Sequence, residues 1–124
     1  MLKHLAFWVL SIFCFAVIAA SSTDISQQGL LKAKSTDLVI VDVRTPEEFM
    51  QGHVPNAINI PLSDIIKNTS VLASSKEKQL VLYCRSGRRA GKAADILSKS
   101  GFDNIQHLEG DMNAWIEAGL PIEK

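Results

Sequence analysis

The chain has 124 residues, 13 basic and 13 acidic side chains, three histidines and two cysteines, which is one domain's worth of sequence. Its balanced charge argues against general affinity for nucleic acid, which needs a basic domain. No internal repeat or low-complexity segment is visible, so solenoid and array architectures are excluded.

In chain order, the N-terminal stretch comes first and differs from the rest. Lys3 and His4 form a polar start, Leu5 to Ala20 is apolar apart from Ser11, and small residues occupy 19–22. That is the layout of a secretory signal peptide. The 16-residue stretch falls short of the roughly 18 of a membrane-spanning helix, which leaves an uncleaved anchor as the second reading. Phe13 before Cys14 disfavours lipidation at that cysteine. The expectation is a cleaved leader over 1–21 and a single domain over 22–124, periplasmic or secreted, with no stable membrane association once processed. About 103 residues suffice for one small hydrophobic core. Without Lys3, twelve basic residues face thirteen acidic ones. Cleavage also removes Cys14, so Cys84 becomes the only cysteine and no internal disulfide is open to it.

Beyond the leader, apolar runs alternate with amphipathic stretches. Ile25 to Lys34 has a helical pattern, and LVIVDV (Leu38 to Val43) is a short β-branched run that predicts a strand buried on both faces. Thr45 before Pro46, with Glu47 and Glu48 next, predicts a capped helix start over Pro46 to Met50. Ala57 to Ile60 predicts a strand, Leu62 to Leu72 a helix with frayed edges, and Lys67 to Lys78 is the most loop-like interior stretch. Gln79 to Tyr83 predicts another buried strand, Arg89 to Ser100 the main helix, Asn104 to Leu108 a weaker strand and Met112 to Ala118 a last helix. Gly101 and Gly119 follow the ends of the two C-terminal helices. The alternation predicts an α/β domain with a largely parallel sheet, whose sites form beyond the carboxyl ends of the strands.

Cys84 occupies such an end. It closes the run QLVLY and is followed by RSGRRAGKAADILSK, so a strand delivers a thiol to the mouth of a helix. Unpaired N–H groups, the helix dipole and the cations Arg85, Arg88 and Arg89 all favour a thiolate there. A small buried cysteine ending a strand is the alternative. Arginines at a helix N-terminus oppose the dipole unless an anion is bound, so the cluster, with Lys92, points to an anionic ligand.

Read together, VDVRTPEEF, GHVPNAINIP, CRSGRRA and LEGDMNAW resemble the motifs of the single-domain rhodaneses, thiosulfate sulfurtransferases of the small secreted bacterial type. The resemblance runs from about Asp24 to Ile122. It implies a rhodanese-like α/β fold, with a five-stranded parallel sheet flanked by helices on both faces. It also implies that Cys84 carries sulfur as a persulfide, without a metal or organic cofactor. Related phosphatases and arsenate reductases place five residues between cysteine and arginine. Here that position is Ala90, and Arg89 closes the shorter loop of a sulfurtransferase. Phosphoryl transfer would lack its charge-stabilising arginine.

On this reading Cys84 attacks the outer sulfur of thiosulfate and passes the sulfur to cyanide in an assay, or to a thiol, a protein thiol among them, in the cell. Backbone N–H groups from Arg85, Ser86, Gly87, Arg88, Arg89 and Ala90 would ring the sulfur, while the arginines bind the sulfonate, Arg89 foremost. Asp42 and Arg44 are expected to anchor loops, and His53 to fix a turn. His107 reads as a hydrogen-bonded sheet residue, Trp115 as core, and no His, Cys and carboxylate cluster has metal-ligand spacing. Where the family reads LEGG, this chain has Asp111. It is expected to cap the following helix; facing the pocket instead, it would repel dianions. A non-catalytic module that binds a partner or senses persulfide or oxidant is the second reading. A thiol oxidoreductase is disfavoured for want of a resolving cysteine.

Overall fold

The computed structural model describes Cys14, residues 23–34, Thr36 and residues 38–124. Apart from Cys14, which is exposed and not disulfide-bonded, the leader expected over 1–21 lies outside the described residues. Among the described residues no helix is long and apolar enough to cross a membrane.

Strand β1 (Thr23–Ile25) leads into helix α1 (Gln27–Lys32), whose N-cap Ser26 accepts the Gly29 N–H. The helical pattern read from Ile25 therefore begins too early. Ile25 pairs with Leu108 in the sheet, and the Ser26 cap sets the boundary. Next come β2 (Leu38–Asp42), α2 (Pro46–Gln51), β3 (Ile58–Asn59) and α3 (Leu62–Lys67). A 3₁₀ segment follows over Thr69–Ser75, so the single helix expected from Leu62 to Leu72 is divided. Asn68, at φ −161 and ψ 114, breaks it, because its side chain takes the Ser70 N–H and offers the backbone an alternative to the helix. The chain ends with β4 (Gln79–Tyr83), α4 (Arg88–Lys99), β5 (Ile105–Leu108) and α5 (Asp111–Glu117).

The five strands form one parallel sheet in the order β1-β5-β4-β2-β3. Alternate residues of the continuous run QLVLYC serve different cores. Leu80, Leu82 and Cys84 pack with Ile65 of α3 and with Ala90, Ala93 and Leu97 of α4. Val81 and Tyr83 pack on the opposite face with Leu30 of α1 and with Met112 and Trp115 of α5. Helices thus cover both faces. Each fully buried Leu, Val or Ile removes apolar surface worth about 1.5–3 kcal/mol from water.

The strand order positions the site. From β2 the chain runs outward to β3, and from the neighbouring β4 it runs the other way, to β5. This reversal opens a crevice beyond the carboxyl ends of β2 and β4. Cys84 follows the last residue of β4 at that point.

Candidate active site

Cys84 is only 1% exposed. Its Sγ accepts the Gly87 N–H at 3.0 Å and the Ala90 N–H at 3.4 Å. The first intrahelical hydrogen bond of α4 is Gly91 N–H to Gly87 O, at 2.9 Å, so the N–H groups before it are free for other acceptors. Gly87, the N-cap, sits at φ 111, where a side chain is strained. A Cβ there would also lie 3.0 Å from Asp111 Oδ2 and 3.3 Å from His107 Cε1. The loop closes around the sulfur because residue 87 is glycine.

The loop's side chains divide. Arg85, Ser86 and Arg88 are exposed on its outer side. Arg89 is instead held against α2, donating from Nη1 to Glu48 Oε1 at 2.6 Å and from Nη2 to Oε2 at 3.0 Å. Glu48 also completes a capping box with Thr45. The Arg89 hydrogen bond lowers the Glu48 carboxyl to about 2, against a smaller upward effect of burial. The same hydrogen bonds raise the Arg89 guanidinium. The carboxylate at Glu48 is a site feature that sequence reasoning missed. Its capping position was visible from Thr45 and Pro46, but its partner lies 41 residues away.

Asp42 and Arg44 sit below the crevice and form a buried pair. Arg44 Nε donates to both Asp42 oxygens at 3.0 Å and Nη2 to Oδ2 at 2.7 Å. Arg44 Nη2 also donates to Gly52 O at 2.8 Å. Burial lowers the Arg44 guanidinium, but the Asp42 hydrogen bonds and charge outweigh it, and the net shift is upward. Tyr83 donates its hydroxyl to Asp42 Oδ2 at 2.7 Å and accepts the Val54 N–H at 3.1 Å. Burial first, then the Asp42 charge, pushes that phenol up. Asp42 thereby ties the ends of β2 and β4 to the loop after α2. His53 stacks on Phe49 with ring centroids 3.6 Å apart, bonds Phe49 O through Nδ1 at 2.9 Å and pairs its backbone with Glu123. It belongs to the turn and the C-terminal strap rather than to the cysteine loop.

Asp111 does not cap its helix. Gly110 occupies the cap position and no side-chain cap bond forms. The Asp111 carboxylate turns to the cysteine loop instead, with Oδ1 accepting the Cys84 N–H at 3.0 Å. His107 Nε2 reaches the same oxygen at 2.9 Å. Trp115 is fully buried and donates Nε1–H to Pro121 O at 2.8 Å. An apolar cavity of about 270 Å³, lined by Leu30, Leu38, Ile40, Val54 and Trp115 among others, lies against α1 and β2. Neither Cys84 nor its loop lines it.

The arrangement is an enclosed thiol, inward backbone donors and a cationic outer rim. The rhodanese-like domain family matches residues 26–118 of this chain. An uncharacterized protein of Synechocystis is 43% identical over 110 residues, which cover 85% of this chain and 60% of that protein. This chain therefore spans less than two thirds of that relative's length. A sulfurtransferase of Allochromatium vinosum is 38% identical over 73% of this chain and 82% of its own length. Thiosulfate sulfurtransferase PspE of Escherichia coli is 37% identical over 56% of this chain and 67% of its own length. A rhodanese-related protein of Thermoplasma volcanium, solved by crystallography, superposes with a TM-score of 0.71 at 31% identity, covering 82% of this chain and 97% of that one.

Proposed function

This chain belongs to the rhodanese-like domain family, and from its Cys84 loop we propose that it moves sulfane sulfur from thiosulfate, or a related anionic donor, to a thiophilic acceptor. The observation that carries the reading is the aim of the Gly87 and Ala90 N–H groups at Cys84 Sγ. They lie in a loop whose arginine falls at 89, with alanine at 90.

In the first half-reaction the Cys84 thiolate attacks the outer sulfur of thiosulfate. A sulfur–sulfur bond forms to Cys84 while the donor's own breaks, and sulfite leaves with the electron pair. The inward N–H groups hold the thiolate, then the outer sulfur of the persulfide. Exposed Arg85 and Arg88 draw the anion in, and Arg89 meets the sulfonate by sharing or releasing Glu48. In the second half-reaction cyanide or a thiol takes the outer sulfur and Cys84 thiolate leaves. The scheme is ping-pong, and no step calls on a metal or organic cofactor. Asp42, Arg44 and Tyr83 keep the crevice walls together.

The proposal extends to location: residues 1–21 direct export to the periplasm or beyond, and the mature chain starts near Ser22. Intact mass of the protein from an exported fraction, before and after thiosulfate, tests both parts. A gain of one sulfur atom on Cys84 and a mass lacking the leader are expected. Full-length protein in a soluble cytoplasmic fraction refutes export. Absence of Cys84-dependent sulfite release with thiosulfate and cyanide refutes the activity and favours the partner-binding reading.

A further inference from the structure

Asp111 combines three features that its place in the fold does not require. It is 2% exposed, it adopts φ 54 where side-chain-bearing residues are uncommon, and its carboxylate leaves its own helix uncapped. What it does engage is the peptide unit of the nucleophile. Asp111 Oδ1 accepts the Cys84 N–H at 3.0 Å, Met112 N–H donates to Cys84 O at 3.0 Å, and Asn113 N–H donates to Arg85 O at 3.1 Å. Cys84 is thus held on its backbone N–H by Asp111 and on its carbonyl by Met112, and Asn113 holds the next carbonyl, at Arg85. The left-handed turn at Asp111 lets its side chain and the next two amides face the same strand end.

The carboxylate is itself held. His107 Nε2 donates to Asp111 Oδ1 at 2.9 Å, and His107 Nδ1 faces Asp24 Oδ1 at 3.8 Å. Asp111 Oδ2 lies where a Cβ on Gly87 would touch it. The pair therefore backs the loop at both Cys84 and Gly87.

We propose that Asp111 is a positioning residue for Cys84, with His107 orienting it. By clamping the Cys84 backbone it sets the direction of the Cα–Cβ bond, and so the placement of Sγ opposite the Gly87 and Ala90 N–H groups. The inference rests on Cys84 as the sulfur-transfer nucleophile. A carboxylate this near also opposes an incoming anion, so placement and charge act in opposite senses and the test must separate them. Asn and Gly at 111 remove the same charge and both tolerate positive φ. Only Asn keeps an acceptor for the Cys84 N–H.

The experiment compares Asp111→Asn with Asp111→Gly in single-turnover persulfide formation over a range of thiosulfate concentrations. It also measures alkylation of Cys84 by iodoacetamide, which needs no sulfur donor. At saturating thiosulfate the Gly variant is expected to react on the order of tenfold more slowly than the Asn variant, the loss of one hydrogen bond to the reacting residue, with half-saturation unchanged. Alkylation should fall in parallel. His107→Ala should fall less, and His107→Gln, which keeps an amide donor, should recover most of the difference. Equal alkylation of the Asn and Gly variants, with both folded by circular dichroism, overturns the proposal even if sulfur transfer proceeds. If wild type forms no persulfide while alkylation still separates the two variants, the positioning role stands and the sulfur-transfer reading fails.

Discussion

Two carboxylates flank the Cys84 loop and hold it in different ways. Glu48, on α2, binds a side-chain cation at the loop's closing end, and both partners remain partly exposed, at 27% and 32% of their side-chain surfaces. Asp111, at the head of α5, binds a backbone amide at the loop's opening end and is buried. The α2 side thus holds charge that water and ligands can reach, while the α5 side holds the backbone of Cys84. On the proposed function the site binds an anion and aims a thiol, and it would gain from keeping these tasks apart. An ion pair reachable by ligand can open during a cycle, whereas buried hydrogen bonds move only at high cost.

The largest test concerns what both sides serve. Cys84→Ser should abolish sulfite release from thiosulfate, at least a thousandfold in a coupled cyanide assay, because a hydroxyl at neutral pH is a far weaker nucleophile. Fold stability should change little. Retained turnover would mean that neither carboxylate flanks the reacting group.

Next in size is the floor beneath the α2 side. Asp42→Ala leaves the buried Arg44 guanidinium without its counter-charge and should cost about 3–5 kcal/mol in chemical denaturation. Tyr83→Phe removes the hydroxyl that links Asp42 to the Val54 N–H and should cost about 1–3 kcal/mol. If Asp42→Ala proved nearly neutral, this side would not be the rigid platform that its geometry describes.

The smallest effect sharpens the contrast itself. Glu48→Gln releases Arg89 from its charged partner and should lower the half-saturating thiosulfate concentration by about three- to tenfold, with a stability cost of about 1 kcal/mol or less. Glu48 ionises in the folded protein at about 2, below its ordinary 4.5. A depressed carboxyl adds stability that is fully present above the ordinary value and fades as pH falls through the folded one. The stability gap between wild type and Glu48→Gln should therefore close as pH is lowered from 4.5 towards 2. A pH-independent gap would show that Arg89 does not depend on the charge of Glu48.

Much of this organisation was legible along the chain. Leu38 to Val43 and Gln79 to Tyr83 are continuous apolar runs of strand length, and the Thr45-Pro46 and Gly101 signals bracket helices within a residue or two of where they occur. β1 was not legible from local pattern. Its three residues are exposed or half-buried, so they carry no alternation, and they become a strand only by pairing with β5. The break at Asn68 was missed for the opposite reason. Apolar spacing continued through it to Leu72, while a side-chain hydrogen bond to Ser70 N–H decided the backbone.

The site divides in the same way. The cysteine at a strand end, the glycine that lets the loop turn, and the count of residues from Cys84 to Arg89 are local properties, set by a few adjacent residues and their torsions, so the sequence by itself determined them. Which groups answer Arg89 and the Cys84 amide is not local. Glu48 is 41 residues from its partner and Asp111 is 27 from its own, and the same side chains would suit a helix cap at either position. The order β1-β5-β4-β2-β3 set α2 on one side of the loop and α5 on the other. Only that packing brought these two carboxylates to the two ends of the cysteine loop.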